Sequence, residues 1–128
     1  MVYERSVLIV DRSEETREVL STALGRRGVR TYYASRPKWG LKLAQRLRPD
    51  LVVLDLEIDN SGPETICAPF AEQSRASQTP MILLGSARRQ PGRSTDEEFV
   101  LKPYHYGPLI RRIEELLGRR QQAVAESA

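Results

Sequence analysis

The sequence has a single cysteine, Cys67, so no disulfide can form within the chain, and a cytoplasmic location is the default expectation. It has a single histidine, His105, which excludes a histidine cluster for a metal. No apolar run approaches the roughly 18 residues of a membrane span. The short apolar run at 7–10 is too brief and too lightly flanked for a secretory signal. Internal repeats and low-complexity stretches are missing. So are the Gly-x-Gly-x-x-Gly and Gly-x-x-x-x-Gly-Lys-Ser/Thr phosphate cradles, which speaks against a small nucleotide or flavin binder. Lysine is scarce, at 3 of 20 cations, and the rest are arginine. The net charge of +3 is spread along the chain, which reads as a solvated Arg-rich surface rather than a nucleic-acid footprint. Arg111, Arg112, Arg119 and Arg120 complement the negative end of the last helix and its acids Glu114 and Glu115, so direct nucleic-acid binding is not expected.

What is present fits one domain of ordinary size. The 128 residues are 40% hydrophobic and 29% charged, enough to bury a core without staples. Residues 6–10 read as a strand that is apolar on both faces, closed by Asp11. Ser13 caps the next helix, with Glu14 and Glu15 against its positive end and Val19, Leu20, Ala23 and Leu24 in one stripe. Gly28 suits the stop, and 29–33 is a weaker second strand. Pro37 opens a helix with Gly40, Leu43, Ala44 and Leu47 on one face, and Pro49 closes it. Leu51-Val52-Val53-Leu54 is the third strand, with Asp55 at its carboxyl end. A helix from 63 to about 75 carries Ile66, Phe70 and Ala71. Residues 81–84 make a fourth strand, 99–101 a short fifth, and 106 to about 119 the last helix. Residues 1–119 then form the domain, and 120–128 a fraying tail or the start of a linker.

Apolar strands alternating with helices predict an α/β fold, a parallel sheet covered on both faces. Ligands of such sheets bind beyond the carboxyl ends of the strands. Asp11, Asp55, Gly85-Ser86 and Lys102 stand at those ends, so two carboxylates, a hydroxyl and an ammonium share one rim.

Four segments in this order carry a family resemblance: Val7-Leu8-Ile9-Val10-Asp11; Pro49-Asp50-Leu51-Val52-Val53-Leu54-Asp55-Leu56; Pro80-Met81-Ile82-Leu83-Leu84; and Phe99-Val100-Leu101-Lys102-Pro103-Tyr104. Over nearly its whole length the chain resembles a response-regulator receiver domain of two-component systems. The resemblance implies a flavodoxin-like, doubly wound, five-stranded parallel sheet in the order 2-1-3-4-5. It implies that Asp55 accepts a phosphoryl group from a histidine kinase or phosphotransfer protein and switches a partner, an output domain or a homodimer. Lys102 matches the family's lysine, and Lys102-Pro103 a bond the family often holds cis. Mg²⁺ is the implied cofactor, with Asp11, Asp55 and the Glu57 carbonyl as oxygen ligands. Such a domain is a signalling module, not an enzyme, with at most a self-dephosphorylating activity.

The chain departs from the family at several places. Arg12 stands where a second acid helps to hold Mg²⁺, so metal binding is expected to be weak, with the guanidinium either paired to Asp55 or pointing to solvent. Gly85 aligns with the family's Thr or Ser. Ser86 comes one place late, and reaches the phosphoryl position only if a bulge or the loop turns it inward. The 13 residues from 86 to 98 are close to the minimum of about 10–12 for a whole crossover, and they contain Pro91-Gly92. The helix between strands four and five is therefore expected to be short or missing. Phe99 matches the family's switch aromatic, or is plain core. Asp59 replaces a favoured proline; it and Glu57 either recover cation affinity or stay solvated. A second reading follows from these departures: a degenerate receiver that acts as a phosphorylation-independent interaction module. His105 reads as a surface residue and Cys67 as buried and inert. Trp39 packs at a helix edge or marks a partner surface.

Overall fold

The structure, a computed structural model, describes residues 4–86 and 97–127. The elements alternate as β1 (Ser6–Val10), α1 (Glu14–Gly25), β2 (Arg30–Ala34), α2 (Pro37–Leu47), β3 (Leu51–Asp55), α3 (Pro63–Ser77), β4 (Met81–Gly85), β5 (Glu97–Leu101) and α4 (Tyr106–Ser127). All neighbouring strands are parallel, in the order β2-β1-β3-β4-β5. This is the doubly wound, flavodoxin-like α/β sheet that the pattern implies. The expected short or missing helix between strands four and five concerns 87–96, outside the described residues.

Side-chain alternation divides the core in two. Val7, Ile9, Leu51, Val53, Ile82 and Leu84 pack with residues of α1 and α4. Leu8, Val10, Val52, Leu54, Met81 and Leu83 pack with residues of α2 and α3. Both faces of β1, β3 and β4 are thus dry, which is why those segments read as unbroken apolar runs. Each such side chain contributes about 1.5–3 kcal/mol, more than an exposed ion pair, so burial sets the register.

Local chemistry starts and stops the helices. Ser13 Oγ accepts from the Thr16 N–H at 3.2 Å, and Gly28 takes φ +75 after α1. Pro37 lies in the first turn of α2. Gly40 lets that helix press onto β1: a Cβ there would lie 2.8 Å from a Val10 methyl and 3.2 Å from the Phe70 ring. Glu98 of β5 is tied to α4 by a two-point ion pair with Arg112.

Some boundaries differ from the sequence expectation. β2 begins at Arg30, not Val29, because the Val29 N–H is used to close α1, donating to Leu24 O at 3.0 Å. β5 starts two residues before Phe99, since Glu97 and Glu98 pair with Met81 and Ile82. Leu47, on the same α2 face as Gly40, Leu43 and Ala44, is exposed at the end of the helix. The last helix extends to Ser127, past the expected end near 119. Residues 119–127 contain neither glycine nor proline, and Arg120 reaches the end of α3, donating to Gln78 O at 2.8 Å and Ser77 O at 3.3 Å. No helix among the described residues is long and apolar enough to cross a membrane.

Candidate functional site

The carboxyl ends of β1, β3 and β5 bring Asp11, Asp55 and Lys102 together. Asp55 ends β3, 5% exposed, and Asp11 follows β1, 3% exposed. Lys102 Nζ donates to Asp55 Oδ1 at 2.7 Å and lies 3.4 Å from Glu57 Oε1. The Lys102 N–H donates to Gly85 O at 2.9 Å, and the Lys102–Pro103 peptide is cis. The Glu57 N–H also donates to Asp55 Oδ1, at 2.9 Å. Among the described residues, both hydrogen bonds to the Asp55 side chain fall on Oδ1. Asp11 Oδ1 accepts from the Ser13 N–H at 2.8 Å, which joins the acid to the cap of α1.

The charges are coupled. Burial pulls the Lys102 ammonium down, but its hydrogen bond to Asp55 and the charges of Asp55, Glu57 and Asp11 together hold it above the ordinary lysine value. Asp11 is raised above the usual carboxylate value, first by burial and also by the Asp55 charge, against the Ser13 N–H that favours its ionised form. Two buried carboxylates and one ammonium leave a site whose negative groups repel each other.

Other assigned residues lie less centrally. Ser86 is half-buried after β4 and makes no hydrogen bond to Asp55 or Lys102 among the described residues. At Gly85 a Cβ would face the Phe99 ring at 3.4 Å and Leu56 at 3.6 Å, so this position lies on the α2–α3 side of the sheet. Arg12 is exposed and lines a cleft with Asp59; the ion pair of Asp55 is with Lys102, which corrects the option of an Arg12–Asp55 pair. The Glu57 side chain pairs with Lys102 instead of being a free loop acid. Among the described residues no group of three or more His, Cys, Asp or Glu side chains is placed to hold a metal. His105 is exposed. Cys67 is buried on α3, and burial pushes its thiol up to about 12, as an inert core residue.

A hydroxyl cluster beside the site has no sequence signal. Thr16 Oγ1 of α1 lies 3.0 Å from the Tyr106 hydroxyl and 3.5 Å from that of Tyr104, and the two rings meet edge to face at 5.7 Å. It links the turn after Lys102 to the helix that Asp11 helps to start.

An acidic pair and a lysine at the carboxyl edge of a 2-1-3-4-5 parallel sheet define a receiver-type α/β domain. No family model matches the chain. It is 30% identical over 128 residues to the transcriptional regulatory protein AfsQ1 of Streptomyces coelicolor, covering 96% of this chain and 56% of that protein. It is 29% identical over 126 residues to the KDP operon transcriptional regulatory protein KdpE of Escherichia coli, covering 94% and 54%. The chain thus spans about half the length of the curated relatives it matches. The chemotaxis response regulator CheY4 of Vibrio cholerae shares its fold, with a TM-score of 0.75 at 22% identity over 89% of this chain and 99% of that one. The chain is a response-regulator receiver domain of the two-component type.

Proposed function

We propose that Asp55 accepts a phosphoryl group from a phosphohistidine on a histidine kinase or phosphotransfer protein, and that the acyl phosphate switches a partner or an output domain. The observation that carries this reading is the Lys102 Nζ–Asp55 Oδ1 pair at 2.7 Å beside Asp11, both hydrogen bonds to Asp55 among the described residues falling on Oδ1. In the reaction Oδ2 forms a P–O bond as the P–N bond to the imidazole breaks. The imidazole nitrogen leaves with the electron pair and takes up a proton. A carboxylate is a weak nucleophile, so the chain's contribution is position and charge. The Glu57 N–H and Lys102 fix the carboxylate through Oδ1, and the ammonium stands where charge gathers on the phosphoryl oxygens.

The donor set fits a hard divalent cation such as Mg²⁺. Asp11 and Asp55 are two buried carboxylates whose mutual repulsion contributes to the raised Asp11 value. Both, with the Glu57 carbonyl, supply the oxygen ligands such an ion prefers. When bound, it neutralises charge on the carboxylates and the incoming phosphoryl group. Arg12, in place of a third acid, makes that binding weak. In this reading the chain is a kinase substrate and signalling module in the cytoplasm rather than an enzyme, and it contacts neither membrane nor nucleic acid directly.

A second reading, a degenerate receiver that binds partners without phosphate, is favoured by Gly85, which offers no hydroxyl and faces Phe99 and Leu56 instead. Incubation with Mg²⁺ and a small phosphodonor, followed by intact-mass measurement, separates the two. The first reading expects one phosphoryl mass gain that vanishes in Asp55→Asn. No gain, or a gain that survives in Asp55→Asn, favours the second.

A further inference from the structure

The loops after β1, β2 and β3 and the first turns of α2 and α3 surround a cleft of about 860 Å³. It opens on the α2–α3 side of the sheet and adjoins the acidic site through Arg12, one residue after Asp11, and through Ile58 and Asp59, which follow Glu57. Its apolar floor is offered by Leu41 and Pro69, over the buried core residues Ile58, Ile66 and Phe70. Its rim carries three cations, Arg12, Arg36 and Lys38, against one acid, Asp59. Asp59 is occupied locally, accepting from the Ser61 N–H at 2.8 Å. Arg36 and Lys38 are exposed and have no ion-pair partner among the described residues.

The character of the rim continues along α2. No acid occurs between Ser35 and Pro49, while Lys42, Arg46 and Arg48 follow Lys38. Trp39, the chain's one tryptophan, is 52% exposed and borders a second hollow with Lys42, Leu43 and Arg46. An 11-residue helix whose cations have no ion-pair partner among the described residues, with an exposed indole and an apolar recess at its side, is complementary in both charge and shape to one kind of partner.

We propose that this cleft and the adjoining face of α2 dock an acidic protein segment, which inserts an apolar side chain into the recess while its carboxylates pair with Arg12, Arg36 and Lys38. A duplex phosphate backbone supplies the charge but no apolar knob, and a bilayer surface is too flat to fill a recess. A small anion pairs with the rim cations but neither fills the apolar recess nor covers Trp39 and Lys42. A peptide meets all three features.

Trp39 is a built-in reporter. The full chain is titrated with a short tryptophan-free peptide in which Leu and Phe are flanked by Glu, and indole emission is followed. The proposal expects a saturable blue shift, and an affinity about tenfold weaker in the Arg36→Glu/Lys38→Glu double variant, which changes only exposed side chains and keeps its circular dichroism spectrum and melting temperature. It also expects weaker binding when Ser replaces Leu and Phe in the peptide. Absence of saturable binding, or binding indifferent to the charge reversal, overturns it. So does tighter binding of a short DNA duplex, of phosphatidylglycerol vesicles or of a nucleoside triphosphate with the same charge dependence.

Discussion

Lys102 Nζ lies 2.7 Å from Asp55 Oδ1 although their strands are not neighbours: β4 stands between β3 and β5. The reach is possible because the Lys102 backbone is held at the end of β4 by its bond to Gly85 O, and the lysine stem spans the rest. A residue 47 positions from its partner in sequence thus closes the charge balance of the site.

The pair makes stability depend on alkaline pH. The folded value of Lys102 is raised above the ordinary 10.5, so its contribution is fully present below 10.5 and is lost as pH rises through the folded value. Denaturation midpoints across that window are expected to fall more steeply for the wild type than for Lys102→Met. Parallel curves would assign the pair no net role. Lys102→Met is also expected to slow phosphoryl acceptance by about 10²–10³, the scale of losing one preorganised charge.

Asp11 gives the opposite trend at acid pH. Its folded value lies above 3.8, so its ionised form opposes folding at neutral pH, and that opposition is relieved as pH falls through the raised value toward 3.8. Asp11→Asn keeps an oxygen for the Ser13 N–H but removes the charge. It is expected to be more stable than the wild type at neutral pH, with the gap narrowing on acidification, and to bind Mg²⁺ more weakly. Denaturant midpoints and a Mg²⁺ titration check both halves; lower stability at neutral pH would contradict the first.

Arg12→Asp tests the weak-metal reading. Arg12 is exposed, so the fold is expected to hold. Replacing a repelling charge by an oxygen ligand beside Asp11 is expected to raise Mg²⁺ affinity by about tenfold or more, equivalent to about 1.4 kcal/mol. Calorimetric titration of both proteins reads this directly, and equal affinities would show that Arg12 does not limit the metal.

Gly40→Ala places a methyl 2.8–2.9 Å from two Val10 carbons. The contact is with a packed strand, not a flexible tip, so a loss of about 1–3 kcal/mol is expected, seen as a lower urea midpoint. Val10→Ala in the same chain is expected to recover part of it, and strictly additive losses in the double variant would refute the clash.

Much of the fold was legible because its causes are local. Apolar runs at 7–10, 51–54 and 81–84 state that both faces of those strands are dry, and Ser13 and Pro37 mark helix starts by hydrogen-bonding capacity alone. Asp11, Asp55 and Lys102 were legible for the same reason: polar residues that close apolar strands must lie at the rim. The exposure of Leu47 was not legible because helical spacing gives a face but not the length of neighbour available to cover it. The end of α4 was missed because Arg120 bonds to carbonyls of α3, 42 and 43 residues away in sequence.

The order of elements, the two-sided sheet and the residues at its carboxyl edge follow from periodicity and capping, which act within a few residues of chain. Where those residues point came from the packing of distant segments. It gave Glu57 and Asp55 to Lys102, turned Arg12 to the α2–α3 cleft, set Thr16 against Tyr106 from 90 residues away, and left Trp39 bare beside a cationic rim. Those outcomes depend on how loops from separate strands meet in space, and charges and hydroxyls choose partners by distance, not by position in the chain.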